Sequence, residues 1–248
     1  AYTWPEPRTN FALLREQAAH LRATTDKALI LNLEVGFLHQ AQFVRGFDRW
    51  LMDLAADPPF AEALMDAILE IWLAEAEATI RAVGDCADVV VYADDIAFQD
   101  RPIFSMAMYR KLIRPRQRRV FDLMRRSGMK VFYHSCGNVR PLLADLVEMG
   151  VDILNPVQVS AEGMGNTAAL KEQWGDELIF WGGIDTQAVL PRGSTGDVCQ
   201  EVMRRLNDLA PGGGYVVAPV HDVQPEVPPA NLCAMFDATG EWEEHAAG

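Results

Sequence analysis

Six short apolar runs recur along the chain, at Ala28–Leu33, Asp88–Tyr92, Val131–Tyr133, Val151–Leu154, Leu178–Trp181 and Gly214–Ala218, each separated from the next by a segment with helical spacing. Runs of this length read as strands, and a strand that alternates with a helix rejoins its sheet as a parallel neighbour. The chain is therefore expected to be α/β, a parallel sheet wrapped by helices. Every run also leads into polar side chains at the same end. Glu34 follows the first run, Asp94 and Asp95 the second, His134 and Cys136 the third, Asn155 and Gln158 the fourth, Asp185 the fifth, and His221 and Gln224 the sixth. A doubly wound sheet gathers its chemistry at one switch point, whereas a (β/α)8 TIM-type barrel gathers it on one face from many strand ends, so the barrel is the better reading. Six candidate strands leave such a barrel one or two short, and the shortfall is expected at the N-terminal side, as in an incomplete chain. No linker or composition break divides residues 1–248, which read as a single domain.

Helices are expected at Phe11–Ala23, at about 38–54, from Pro58-Pro59 to Val83, from a Ser105 cap to Arg126 with a bend at Pro115, at Thr167–Trp174 up to Gly175, at Asp197–Leu209, and from Pro229 onward. The arginines between Arg114 and Arg126 read as the solvated face of one helix. Half of the 248 residues are hydrophobic, enough for a sizeable core, and the net charge of -13 argues against a nucleic-acid or anionic-membrane binder. Four scattered cysteines show no disulfide framework, which points to a reduced, cytoplasmic setting. The N-terminal stretch Tyr2–Pro7 lacks the pattern of a leader peptide, and no apolar run is long enough to span a membrane.

The third run carries the densest chemistry. In extended backbone, residues two apart point to the same side, so His134 and Cys136 converge while Ser135 faces away. That pair suits a metal ion or a polarised thiolate; the plainer reading is a small buried cysteine and a satisfied core histidine. Asp94 and Asp95 have the chemistry to hold substrate or act as acid and base, and a strand-end aspartate is also an ordinary helix N-cap. Asn155 and Gln158 suit hydrogen bonds to a ring substrate, against a turn set by Pro156. His20, His39 and His245 lie in helical or tail segments and carry no motif. Gly212-Gly213-Gly214 precedes a strand, which makes it a turn and not a phosphate cradle.

Four blocks in order carry a resemblance: His134-Ser135-Cys136-Gly137-Asn138, Gly150 through Gln158, Trp181 through Thr186, and Pro219-Val220-His221-Asp222-Val223-Gln224-Pro225 with Pro228-Pro229-Ala230-Asn231. Together they resemble the uroporphyrinogen decarboxylase superfamily, which also holds the corrinoid:thiol methyltransferases. The resemblance implies a (β/α)8 barrel and admits two activities. For the decarboxylases, lyases of porphyrin biosynthesis that act on a tetrapyrrole without a cofactor, Tyr92-Ala93-Asp94-Asp95, Asp185 and His221 are the similar positions. That chemistry needs an acid and a cation to orient the carboxylate, and an acidic face with few arginines serves it poorly.

The methyltransferases of the superfamily are the better match at the third run. They carry His-x-Cys there and a later cysteine as zinc ligands; His134 and Cys136 match the first two, and His221 stands in place of the third. Zn²⁺ accepts imidazole and thiolate and leaves a fourth place for a substrate thiol. A thiolate formed there would attack a methyl group on a corrinoid. The resemblance thus implies His134, Cys136 and His221 as metal ligands, and Asp94, Asp95 and His221 as catalytic groups. Glu34, Tyr92, Asn155, Gln158, Asp185 and Gln224 are the candidate substrate contacts, with a solvated loop residue the plainer reading of Glu34. Asp94, Asp95 or Asp185 would be the hydrogen-bond acceptors behind the histidines. Implied partners are a small thiol or tetrapyrrole and a corrinoid or corrinoid protein; an oligomer is compatible with both activities. A non-catalytic barrel or inactive fragment is the third reading, and polar residues at all the strand ends argue against it.

Overall fold

A computed structural model describes residues 9–246, apart from the side chains of Glu34, His245 and Ala246. The stretch Tyr2–Pro7 thus lies outside the described residues. The expected α/β architecture is present: six strands, hydrogen-bonded in sequence order from the first to the sixth, alternate with helices. The chain sorts into two compact units, Ala1–Asp94 with Ala107–Phe132, and Asp95–Met106 with Tyr133–Gly248. The division passes through a strand and a helical turn and not through a linker, so composition carries no mark of it.

In the first unit, α1 (Phe11–Thr24) starts where the Asn10 side chain accepts the Leu13 N–H at 3.1 Å. Strand β1 (Ile30–Val35) pairs parallel with β2 (Val89–Ala93), Ile30 facing Val89 and Leu31 facing Val90. The helical pattern at 38–54 is two helices, α2 (Phe37–Arg45) and α3 (Phe47–Ala56), separated by Gly46 at φ 86°. Only glycine adopts that conformation cheaply, so it ends one helix and redirects the chain into the next. Helix α4 (Pro58–Val83) follows, with Asp57 capping the Phe60 N–H at 3.3 Å and proline in its first turn.

The helix foreseen up to Arg126 has three parts: α5 (Met106–Met108), a π-helical turn at Tyr109–Ile113, and α6 (Arg114–Arg126). Pro115 has no N–H to offer the carbonyl of Lys111, and the turn before it widens so that the Arg114 N–H reaches Tyr109 O. The basic face of α6 is not wholly solvated, contrary to the pattern of its charges. Arg116 is buried; its Nε and Nη2 donate to the two carboxylate oxygens of Asp66 at 2.7 and 2.8 Å, and its Nη1 donates to Leu112 O. A fork of charge-assisted bonds offsets the desolvation of the guanidinium. Arg116→Ala is expected to destabilise the protein by about 2 kcal/mol, near the lower end of the range for bonds to charged groups because Asp66 is half exposed and can be rehydrated. Urea unfolding measures it, and a loss below about 0.5 kcal/mol would show that this fork is idle.

In the second unit, β3 (Lys130–His134) supplies its last two residues, and β4 (Ile153–Val157), β5 (Ile179–Ile184) and β6 (Tyr215–Pro219) pair parallel in that order. β4 begins two residues later than its apolar run suggests, because α7 (Leu143–Met149) ends in a left-handed cap at Gly150 and Val151-Asp152 form the connection. Asn155 therefore lies inside the strand and not after it. Helices α8 (Thr167–Trp174) and α9 (Val189–Arg192) are short. α10 (Thr195–Leu209) starts earlier than expected because Ser194 and Asp197 form a reciprocal capping box. With α11 (Pro229–Ala246) it encloses a core of Ile184, Leu190, Val198, Val202, Leu206 and Met235. Among the described residues, no helix is long and apolar enough to cross a membrane.

Candidate metal centre

The end of β3 is held by the loops that follow β2 and β4. Ser135 is buried; its N–H donates to Asn155 O at 2.9 Å and its Oγ accepts the Ile96 N–H at 3.1 Å. Gly137 takes φ 92°, and a Cβ there would stand 2.5 Å from Phe98 O, so only glycine lets the backbone approach so closely. Its N–H donates to Gln158 Oε1 at 2.7 Å, and the Asn138 N–H donates to Phe98 O at 2.8 Å. The polar groups of the loop are thereby satisfied by backbone and amide partners, which leaves the side chains of His134 and Cys136 for other work.

Those two side chains converge as the two-residue period requires, with Cys136 Sγ 3.6 Å from His134 Nε2. The last strand brings a third donor. The rings of His134 and His221 lie 6.1 Å apart at 73°, and one ligating atom from each of His134, Cys136 and His221 falls within 4.8 Å of the other two. His134 Nδ1 is 2.5 Å from Asn155 Oδ1. An amide oxygen only accepts, so Nδ1 carries the proton and Nε2 turns its lone pair toward Cys136. The acceptor behind His134 is thus Asn155, not one of the aspartates, because the later start of β4 places Asn155 alongside it.

Asp95 acts on the cysteine instead. Its Oδ1 accepts the Cys136 N–H at 2.7 Å. Burial, and then the negative charge of Asp95, push the Cys136 thiol up to about 12. Such a cysteine is no free thiolate near neutral pH; a cation in the cluster is what would stabilise its charged form.

The donor set suits zinc. A thiolate and two imidazoles are its ordinary ligands, and tetrahedral bonds of about 2.0–2.3 Å put ligand atoms about 3.3–3.8 Å apart. The trio must contract by about 1 Å to meet that geometry. His221 is the exposed member and the one able to move. Its Nδ1 accepts the Asp222 N–H at 2.8 Å. A cation on Nδ1 would take that lone pair, and a cation on Nε2 would require a proton on Nδ1, so this bond opens in either case.

The other residues singled out by sequence divide between site and scaffold. Gln158 is buried and spends its Oε1 on Gly137. Asp185 accepts the Gln187 N–H at 2.7 Å and the Ala188 N–H at 3.4 Å, closing the turn before α9. Gln224 is exposed and donates to Asp222 O. In the first unit, Asp94 and Tyr92 are fully buried. Asp94 accepts the N–H groups of Leu38 and His39 and the Tyr92 hydroxyl, and so caps α2. Glu34 lies in β1, with its side chain outside the described residues. Sequence patterns passed over His39, whose Nδ1 is 3.1 Å from Asp94 Oδ1, and turned Ser135 away from the pair without revealing its bond to Ile96.

The model of the family described as Uroporphyrinogen decarboxylase (URO-D) matches residues 7–242. The chain belongs to that family. One relative, the Methylcobamide:CoM methyltransferase MtbA of Methanosarcina acetivorans, is 24% identical over 214 residues, covering 86% of this chain and 58% of the relative. A solved methyltransferase from Methanosarcina mazei superposes with a TM-score of 0.72 at 21% identity, covering 93% of this chain and 64% of that one. This chain therefore spans about three fifths of the length of the relatives it matches, and the second likeness speaks for the fold.

Proposed function

We propose that this URO-D family chain serves methyl transfer between a methylated corrinoid and a thiol, with Zn²⁺ held by His134, Cys136 and His221. The observation that carries the reading is the convergence of one thiol and two imidazoles within 4.8 Å at the ends of β3 and β6. When bound, zinc would lower the pKa of a substrate thiol at its fourth position, so that the thiolate becomes the nucleophile. Asn155 holds His134 in the tautomer that presents Nε2. Asp95 fixes the backbone of Cys136, and Ser135 and Gly137 tie the loop on either side of it. The corrinoid, alone or on a partner protein, is supported by the printed activity of the Methanosarcina acetivorans relative.

Elemental analysis of the purified chain after zinc loading and dialysis tests the reading. About one zinc per chain is expected from three protein ligands and an open fourth place. His134→Ala should lower that to background. Hydrogen exchange at the Asp222 amide should quicken on loading, as its bond to His221 opens. A chain that binds no zinc and decarboxylates a porphyrinogen would overturn the proposal in favour of the lyase activity.

A further inference from the structure

We infer that residues 221–226 form a strap that swings as one piece about Val220 and Val227, and that its swing gates the metal centre by carrying His221 to and from His134 and Cys136. This rests on the metal reading above and adds how the centre opens and closes. Every residue from His221 to Glu226 is exposed, whereas Val220 and Val227 on either side are buried. The strap's polar bonds stay within it. The Asp222 N–H donates to His221 Nδ1 at 2.8 Å, Gln224 Nε2 donates to Asp222 O at 3.1 Å, and the Val227 N–H donates to Gln224 O at 3.1 Å. Among the described residues, none of residues 221–226 makes a hydrogen bond or ion pair with any residue before Val220 or after Val227. A segment without such cross-links lies at the low end of local stability, and the internal bonds, with φ fixed at Pro225, let it move whole instead of fraying.

Both ends of the strap are fixed to one core. The Val220 N–H donates to Ile184 O at 2.9 Å, and Val227 packs in the cluster that holds Ile184. Beyond it, the Asn231 N–H donates to Pro228 O at 2.9 Å, while the buried Asn231 Nδ2 donates to Leu190 O and to Gly193 O, each at 2.8 Å. That gives a physical task to the Pro-Pro-Ala-Asn block, which stops the motion at Val227. Firm pivots with an untied segment between them are the arrangement of a hinged lid. The rest of the cluster is held back from making the approach. His134 Nδ1 is engaged by Asn155 and the Cys136 N–H by Asp95, so the gap of about 1 Å that the donors must close falls to His221. Its ring is bonded to the strap's own backbone at Asp222, so ring and strap travel together until the ion takes hold. With the strap away, His134 and Cys136 are an open two-ligand entry; with it in, three ligands hold the ion, which leaves only when the strap lifts.

Amide relaxation-dispersion NMR on the metal-free chain is expected to show one shared exchange process at His221, Asp222, Val223, Gln224 and Glu226, and none at Val220 or Val227. Zinc loading should quench it, and His221→Ala should leave it unquenched at zinc levels that still occupy His134 and Cys136. The gate itself is read from the rate at which excess chelator strips zinc from the loaded chain. Val227→Ala loosens a pivot without touching a ligand and should speed release about fivefold, since losing buried methyl groups at the pivot favours the lifted state by a factor of that order. Val198→Ala, in the same core but outside the strap, should leave the rate unchanged. In a chain that binds zinc, strap amides as quiet as their pivots, or equal release from the two valine variants, would overturn the gate and retain the metal site. Shared exchange in a chain that binds no zinc would retain the hinged strap and sink the metal reading.

Discussion

Cys136→Ser is expected to remove zinc binding almost completely while leaving the metal-free protein as stable as the parent. A structural zinc site is worth about 10–16 kcal/mol over its ligands, so one thiolate accounts for about 3–4 kcal/mol and its loss for a factor of about 10²–10³ in affinity. Competition with a chromophoric chelator measures that factor. The fold should not notice the change, because the loop's structural bonds belong to its neighbours: Ser135 to Ile96, Gly137 to Gln158, Asn138 to Phe98. The bond from Asp95 goes to the backbone N–H of residue 136 and survives the substitution. Asn155→Ala supplies the graded comparison. It leaves the ligands in place and removes the acceptor behind His134, for which a loss of about 10–100-fold is expected. If Cys136→Ser kept the parent affinity for zinc, the cluster would not be a metal site.

Gly36→Ala should be among the most damaging small substitutions in the chain. The backbone there is ordinary, φ -77°, so strain in φ is not the reason. An added Cβ would stand 2.3 Å from Asp94 Oδ2 and 2.4 Å from the Tyr92 ring, and neither neighbour can retreat. Asp94 Oδ2 accepts the Leu38 N–H at 2.9 Å and Oδ1 the His39 N–H at 2.8 Å. Tyr92 is wedged edge-on against Trp72 and Phe121, at ring separations of 5.2 and 5.8 Å. Either the carboxylate leaves the start of α2, stranding the buried Leu38 N–H and the half-buried His39 N–H, or the aromatic cluster spreads. Overpacking of this kind costs about 3 kcal/mol, the upper end of its usual range, and denaturant unfolding of the purified variant measures it. A midpoint equal to the parent's would mean that the cluster yields at little cost.

Much of the fold was legible because it rests on periodicity. Short apolar runs alternating with helical spacing can only become strands and helices in turn, and proline, glycine and capping residues fixed most boundaries, as at Asp57 before α4 and Gly175 after α8. The convergence of His134 with Cys136 was legible for the same reason, being a property of extended backbone. Where local signals competed, the pattern misled. Gly46 divided one amphipathic run into two helices, and the cap at Gly150 pushed β4 along until Asn155 became a strand residue.

Partnership between distant residues was a different matter. Charge spacing made Arg116 look solvated until α4 supplied Asp66, and adjacent aspartates that read alike went to opposite tasks, Asp94 to the buried start of α2 and Asp95 to the backbone of Cys136. Among the signals in the sequence, only a resemblance joined His221 to His134 and Cys136. Sequence alone determined what covalent geometry dictates within a few residues: which segments are strands, and which neighbouring side chains share a face. Tertiary structure alone decided which polar groups meet, because hydrogen bonds and ion pairs are selected by the packing that brings remote segments within about 3 Å of one another.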